Sequence, residues 1–299
     1  MRTEADNRRE FRLYRAALAV SRWLPFRLLQ AIGGALGVLY LLVSSRRRTV
    51  LANLRRVFPH RGGAWRLATA VRCGAHFGAI AFDYLKWSQA TAATLEAKVR
   101  VAGLDNLREA VARGRGCFIL SAHFGHWEVA ALWLASQGFR QSVVFRPLEN
   151  PLLEAELAAA RTRFGNVLIP KGSATRGMLR ALRAGGIVDI LLDQKADLEH
   201  SVIVEFLGIP TPTAHSLAKM AQGTGAAVVP LFTFPRGSGY DVRLDPPLLA
   251  DPAEDVGALT RRYNEILSRQ ILERPELWLW FHDRWTPRRR RIQDLAEQG

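Results

Sequence analysis

Cys117–Glu128 reads CFILSAHFGHWE, and the change of pattern inside it decides the fold. Cys117–Ala122 are apolar or small throughout, without the alternation of a half-exposed strand, and the turn Gly114-Arg115-Gly116 leads into them. Such a run predicts a strand buried on both faces. Glu128–Ser136 then takes a helical pattern that stops near Gly138. The unit recurs downstream. Ser142–Phe145, Val167–Ile169, Ile187–Leu192, Val202–Phe206, Ala226–Phe234 and Tyr240–Leu244 read as strands. Pro151–Phe164, Ala174–Arg183, His215–Gln222 and Asp255–Glu273 read as helices. Apolar strands spaced by helices imply an α/β fold, a mostly parallel central sheet with helices on both faces and a late antiparallel part. In such sheets ligands bind beyond the carboxyl ends of the strands. Those ends carry His123, then Arg146 and Pro147, then Asp193 and Gln194.

The remaining composition bounds the partners. With 299 residues, 48% hydrophobic and 23% charged, the chain can bury a core and is not a disordered polymer. Two cysteines, Cys73 and Cys117, both in apolar stretches, exclude a disulfide scaffold and a cysteine zinc site. The net charge is +15, and only five of the 42 basic residues are Lys. Residues 1–60 hold 12 Arg against three acids and residues 284–299 five Arg against two, so the body between is near neutral. Basic ends of this kind suit nucleic acid, an anionic membrane or an acidic protein. No zinc-finger, RNP or helix-turn-helix pattern occurs, and nucleic acid is not expected. Leu28–Ser45 carries no charge for 18 residues, the lower edge of a bilayer span. Gly33 and Gly37 within it form a small-xxx-small pair. Arg15, Arg22 and Arg27 precede the stretch and Arg46–Arg48 follow it, which suits an anionic membrane surface and does not fit a cleavable signal. The expectation is a basic, membrane-associating helical segment over 1–60 and an α/β domain over 61–299; the rival reading is a buried helix that starts the domain.

His123 and Glu128 are the residues best placed for chemistry. If His123 ends the strand and Glu128 lies in the first helical turn, a tight turn brings carboxylate to imidazole. Glu128 would then hydrogen-bond one ring nitrogen and leave the other free to take a proton. Backbone N–H groups at the helix start would meet an oxyanion, and Gly125 would permit close approach. The bland alternative is a satisfied histidine and a glutamate favoured by the helix dipole. His126 competes as base. His123, His126 and Glu128 lack the HExxH spacing, and no metal is expected. No G-x-S-x-G elbow, Walker A loop or G-x-G-x-x-G fingerprint occurs, so neither a serine nucleophile nor a nucleotide cofactor is expected.

Taken together, the motifs resemble those of the lysophospholipid acyltransferase superfamily, specifically its bacterial lipid A late acyltransferase branch. His123–Glu128 matches the branch's H-x4-D/E motif and Arg146–Pro151 its R-P-x-x-N-P block. Asp193-Gln194 matches a D-Q strand end, Phe206–Thr211 an F-x-G-x-P-T segment, Thr224–Pro230 a T-G-A-x-V-V-P segment and Trp280–Trp285 a W-x-H-x-R-W segment. All six stand in the family's order over about residues 30–285. The resemblance implies acyl transfer from an acyl carrier protein, or acyl-CoA, to a hydroxyl of a lipid A precursor or related glycolipid. The place implied is the cytoplasmic face of the inner membrane, and no cofactor is implied. His123 would be the general base, oriented by Glu128. Arg146 would bind an acceptor phosphate or steady the oxyanion, with Asp193 orienting it across neighbouring strand ends. Asn150, Gln194, His282 and Arg284 would complete the substrate-binding set. Lys195 stands where members often have an acid, a departure that bears on the acceptor more than on the reaction. Two alternatives stay open: a different acceptor, such as a phosphatidylinositol mannoside, an amino-lipid or a lysophospholipid, and a non-catalytic lipid-binding protein on the same fold.

Overall fold

The computed structural model describes residues 3–285 and opens with four helices: α1 (Glu4–Ser21), α2 (Phe26–Val43), α3 (Arg46–Val57) and α4 (Gly63–Trp87). Thr3 and Asp6 start α1 with a capping box, the Thr3 hydroxyl accepting from Asp6 N and the Asp6 carboxylate from Thr3 N. The charge-free stretch forms α2. It lies along α4 at close range, because Gly33 and Gly37 face Gly74 and Gly78; a Cβ on Gly37 would run into the Gly74 carbonyl oxygen. The opposite side of α2 is apolar and uncovered: Leu28, Ile32, Leu36, Leu39, Tyr40 and Val43 are all exposed, as is Trp23 before it. The expected boundary near residue 60 falls in the turn between α3 and α4.

Alternation then sets in, with α5 (Ala92–Lys98), β1 (Val99–Ala102), α6 (Leu104–Ala112), β2 (Cys117–Ser121) and α7 (Trp127–Ser136). It continues through β3 (Gln141–Phe145), α8 (Pro151–Thr162), β4 (Val167–Pro170), α9 (Ala174–Arg183) and β5 (Ile187–Leu191). A hairpin, β6 (Ser201–Phe206) and β7 (Ile209–Ala214), precedes α10 (Ser216–Thr224), β8 (Ala227–Arg236), β9 (Gly239–Leu244) and α11 (Val256–Glu273). Seven strands make one sheet in the order β1-β9-β8-β2-β5-β3-β4, and every pairing except β8 with β9 is parallel. This is the expected α/β architecture, with its late antiparallel part where β8 turns into β9. β6 pairs only with β7, outside that sheet.

β2 shows why its sequence does not alternate. Phe118 and Leu120 enter a core shared with α9, α10 and α11, while Cys117 and Ile119 enter a second core beneath α7. Both faces are covered, so both residue sets are apolar. Cys73 and Cys117 are buried and unpaired. Burial pushes each thiol up to about 12. Arg288–Arg291, most of the expected basic C-terminal charge, lie outside the described residues.

Candidate active site

β2 and β5 are neighbours in the sheet, with Ser121 opposite Leu191. The pairing continues past the strand ends through Leu192 N donating to Ser121 O at 3.1 Å. His123 and Asp193 therefore emerge side by side although 70 residues separate them. The His123 backbone N–H donates to Asp193 Oδ2 at 3.0 Å, and His123 Nδ1 lies 2.9 Å from Asp193 Oδ1. Trp278 Nε1 donates to the same Oδ2 at 2.7 Å. The carboxylate is 2% exposed and the imidazole 19%. With Nδ1–H donating to the carboxylate, Nε2 carries the lone pair. Gln194 Nε2 lies 3.0 Å from that nitrogen. Burial alone pushes the imidazole's pKa down; the charge and hydrogen bond of Asp193, joined by the charges of Glu128 and Asp189, reverse this and leave it above its usual value. Burial raises Asp193, but His123, Trp278 and the His123 N–H outweigh it and hold the carboxyl below the usual range.

The expected hydrogen bond of His123 with the Glu128 carboxylate is absent, and Asp193 takes that ring nitrogen instead. Glu128 does lie in the first turn of α7, as read from the sequence, but its carboxylate is taken by Arg161 of α8. Arg161 Nε donates to Glu128 Oε1 at 3.0 Å and to Oε2 at 3.1 Å, and Nη2 donates to Oε1 at 2.5 Å. A guanidinium outcompetes an imidazole for a carboxylate because its fork of donors meets both oxygens. Glu128 thus reaches His123 only as a nearby charge. A third carboxyl, Asp189 on β5, is pushed up to about 7 by burial and then by Glu128, with His123 pulling the other way.

The remaining expected site residues divide. Gln194 is at the imidazole. His282 is close behind: its Nε2 accepts from Lys195 N at 3.2 Å, and burial lowers its pKa. Arg146 is exposed beyond the end of β3, and Asp193 does not orient it, because that carboxylate is committed to His123 and Trp278. Asn150 is buried and works in the scaffold: its side chain caps α8 at Leu152 N and donates to Asn7 O and Glu10 Oε2 of α1. Arg284 is 1% exposed, donates to Pro212 O and Thr213 Oγ1 of the hairpin and stacks on Phe206. Both hold the frame rather than face a ligand. His126 turns into the interior toward Asp83, away from His123. Sequence reading missed Trp278, Arg161 and Asp189. Only Asp189 left a local signal, a lone acid inside the apolar run of β5.

A pair of this kind can deprotonate a hydroxyl. Asp193 holds Nδ1, Nε2 carries the free lone pair, and Trp127 packs its ring edgewise on the imidazole at 4.9 Å, which makes one wall apolar. The rim belongs to other elements. Asn53 of α3 donates to Trp280 O and His282 O, and Tyr40 of α2 lies 6.0 Å from the Phe281 ring. The uncovered apolar side of α2 therefore borders the loop behind the imidazole.

Residues 3–287 match the sequence profile of the family described as bacterial lipid A biosynthesis acyltransferase. The chain is similar to a lipid A biosynthesis acyltransferase of Haemophilus influenzae, 25% identical over 268 residues that cover 88% of this chain and 83% of the relative. It is similar to the lipid A biosynthesis lauroyltransferase of Escherichia coli, 25% identical over 272 residues, 89% of this chain and 87% of the relative. A phosphatidylinositol mannoside acyltransferase of Mycobacterium tuberculosis is 27% identical over 202 residues, 66% of this chain and 61% of the relative.

Proposed function

We propose, given that this chain belongs to the bacterial lipid A biosynthesis acyltransferase family, that it moves a fatty acyl chain from a thioester to a hydroxyl of a lipid A precursor or related glycolipid. The observation that carries the reading is the contact of His123 Nδ1 with the buried Asp193 carboxylate, which leaves Nε2 as a base at the mouth of the sheet. The acceptor hydroxyl displaces the Gln194 amide from Nε2. Its oxygen attacks the thioester carbonyl carbon while Nε2 takes the proton. The tetrahedral oxyanion collapses, the carbon–sulfur bond breaks, and the leaving thiolate recovers the proton from the imidazolium. Free thiol and an ester are the products, with no covalent enzyme intermediate. Glu128, fixed by Arg161, stabilises the imidazolium by its charge. Arg146, exposed just past the end of β3, the neighbour of β5, offers its fork to an acceptor phosphate.

The donor is an acyl carrier protein or acyl-CoA, and the basic N-terminal helices suit such acidic partners. The apolar side of α2 lies in the interface of the inner membrane's cytoplasmic leaflet, with Arg46–Arg48 at the phosphates. A lipid acceptor would then meet the protein along the exposed side of α2, next to the loop that carries His282. The similarity to a phosphatidylinositol mannoside acyltransferase favours a second acceptor class, a mannosylated phosphatidylinositol.

The test is thiol release from an acyl donor in detergent micelles, offered a lipid A precursor or a phosphatidylinositol mannoside. His123→Ala is expected to lower turnover by about 10²–10⁴-fold, the usual worth of a positioned base, in a chain that still unfolds cooperatively, at a lower midpoint because Asp193 loses a partner. Turnover that survives His123→Ala within a few-fold would refute the base. Tight lipid binding with no thiol release from either acceptor would favour a non-catalytic lipid-binding protein.

A further inference from the structure

The turn that carries His123 and Glu128 is anchored twice, and the second anchor lies on the side away from Asp193. His126 is fully buried and stands at the N-terminal cap position of α7. Its Nε2 is 3.2 Å from Oδ1 of Asp83 on α4, within ion-pair range but without the geometry of a hydrogen bond, and neither atom has a hydrogen-bond partner elsewhere. The other oxygen of Asp83 accepts from Tyr240 of β9 at 2.6 Å and from Gln30 of α2 at 2.8 Å. The carboxyl is 0% exposed. His76, two turns earlier on the same side of α4, sits against the Gly125 backbone. Three elements remote in sequence thus converge on one buried acid. A buried carboxyl costs several kcal/mol unless it is hydrogen-bonded and paired, and an apolar residue of similar size would pack a core at less cost.

We propose that Asp83 is a positioning residue for acyl transfer, which holds the catalytic turn in register through His126. The turn needs holding. Gly125, midway between His123 and Glu128, sits at φ +58° in the left-handed region, where the backbone is least constrained by its own side chain. One flank is pinned by Gly125 N to Leu277 O and by Leu279 N to His123 O. On the other flank the Asp83 carboxylate abuts the His126 ring, and the hydrogen bond it accepts from Gln30 makes the seating of α2 part of the same geometry. Without it α7 can rotate about its first residue, which moves Glu128 and slides His123 along Asp193. A displacement near 1 Å at a reacting group can cost about 10²-fold in rate. The inference rests on the reading of His123 as base.

The experiment measures kcat, acceptor KM and melting midpoint for the full chain in detergent micelles. Asp83→Asn keeps the shape of the side chain and removes its charge. It is expected to lower kcat by about 10–100-fold with acceptor KM within two-fold, roughly, of the parent. His126→Gln is expected to match it, and the double variant to be no worse than either single change, because both cut one link. Gln30→Leu, which spares the rest of the cluster, is the variant to use if Asp83→Asn does not fold. It is expected to lower kcat about 3–10-fold, as for a lesser displacement, in a chain whose midpoint drops but which stays fully folded at the assay temperature. Parent-level kcat in folded Asp83→Asn or Gln30→Leu would overturn the proposal. So would rate losses that only follow the folded fraction, or additive losses in the double variant. An active His123→Ala would instead overturn the reading of the base. An inactive His123→Ala beside a fully active Asp83→Asn would overturn this inference alone.

Discussion

At His123, the proposed base, two opposed effects set the imidazole's pKa. Burial favours the neutral imidazole and Asp193 favours the protonated one; Asp193 prevails, with Glu128 and Asp189 adding to it, and the pKa stands above its usual value. A base acts in its neutral form, so kcat/KM is expected to climb as pH rises through that raised pKa. Asp193→Asn removes the charge that raises it. The acid limb of the pH–rate profile is then expected to move to lower pH, and the plateau to fall by about 10²–10⁴-fold as the tautomer is lost. A limb that stays in place would mean that the base does not feel Asp193. His123, Asp193 and Gln194 were legible from their places at the ends of apolar runs. Their contact was not, because it depends on β2 and β5 lying side by side, which no local pattern encodes. For the same reason Glu128 was paired with the histidine five residues away, when a guanidinium from α8 claims it.

Among the elements, the pair α2 and α4 depends most on single atoms. Gly33 and Gly37 were visible as a packing motif, while Gly74 and Gly78, at the same spacing on α4, complete it. Gly37→Val would place its side chain on the Gly74 carbonyl and force the helices apart. The expected cost is about 2–4 kcal/mol, read as a lower denaturation midpoint, and the Gln30–Asp83 hydrogen bond breaks as the helices separate. β7 escaped sequence reading because Pro210 and Pro212 argue against a strand; the hairpin tolerates them because β7 has a partner on one side only. β1 escaped because it is four residues long, with Arg100 inside it. β2, the most legible strand, is the one buried at every position.

Over the molecule as a whole, apolar exposure and positive charge meet at one end. The uncovered side of α2 runs into Arg46–Arg48, and exposed Arg55 and Arg56 follow on α3. Vesicles that contain phosphatidylglycerol are expected to sediment the protein, and salt to weaken the binding, since each basic residue near such a surface contributes about 1 kcal/mol. Leu36→Asp combined with Leu39→Asp is expected to abolish most of this binding and leave thiol release in detergent micelles intact. Equal vesicle binding by parent and variant would place the contact elsewhere. The charge asymmetry and the uncharged stretch were legible from composition; that one side of the stretch packs on α4 and the other stays bare was not, since both are equally apolar. The two sealed cysteines bear on the bench work itself. With both sulfhydryls enclosed and resistant to ionisation, the native enzyme has no thiolate for a chromogenic disulfide such as Ellman's reagent, so colour that develops during turnover reports the donor's sulfur alone, and a slow background signals unfolding.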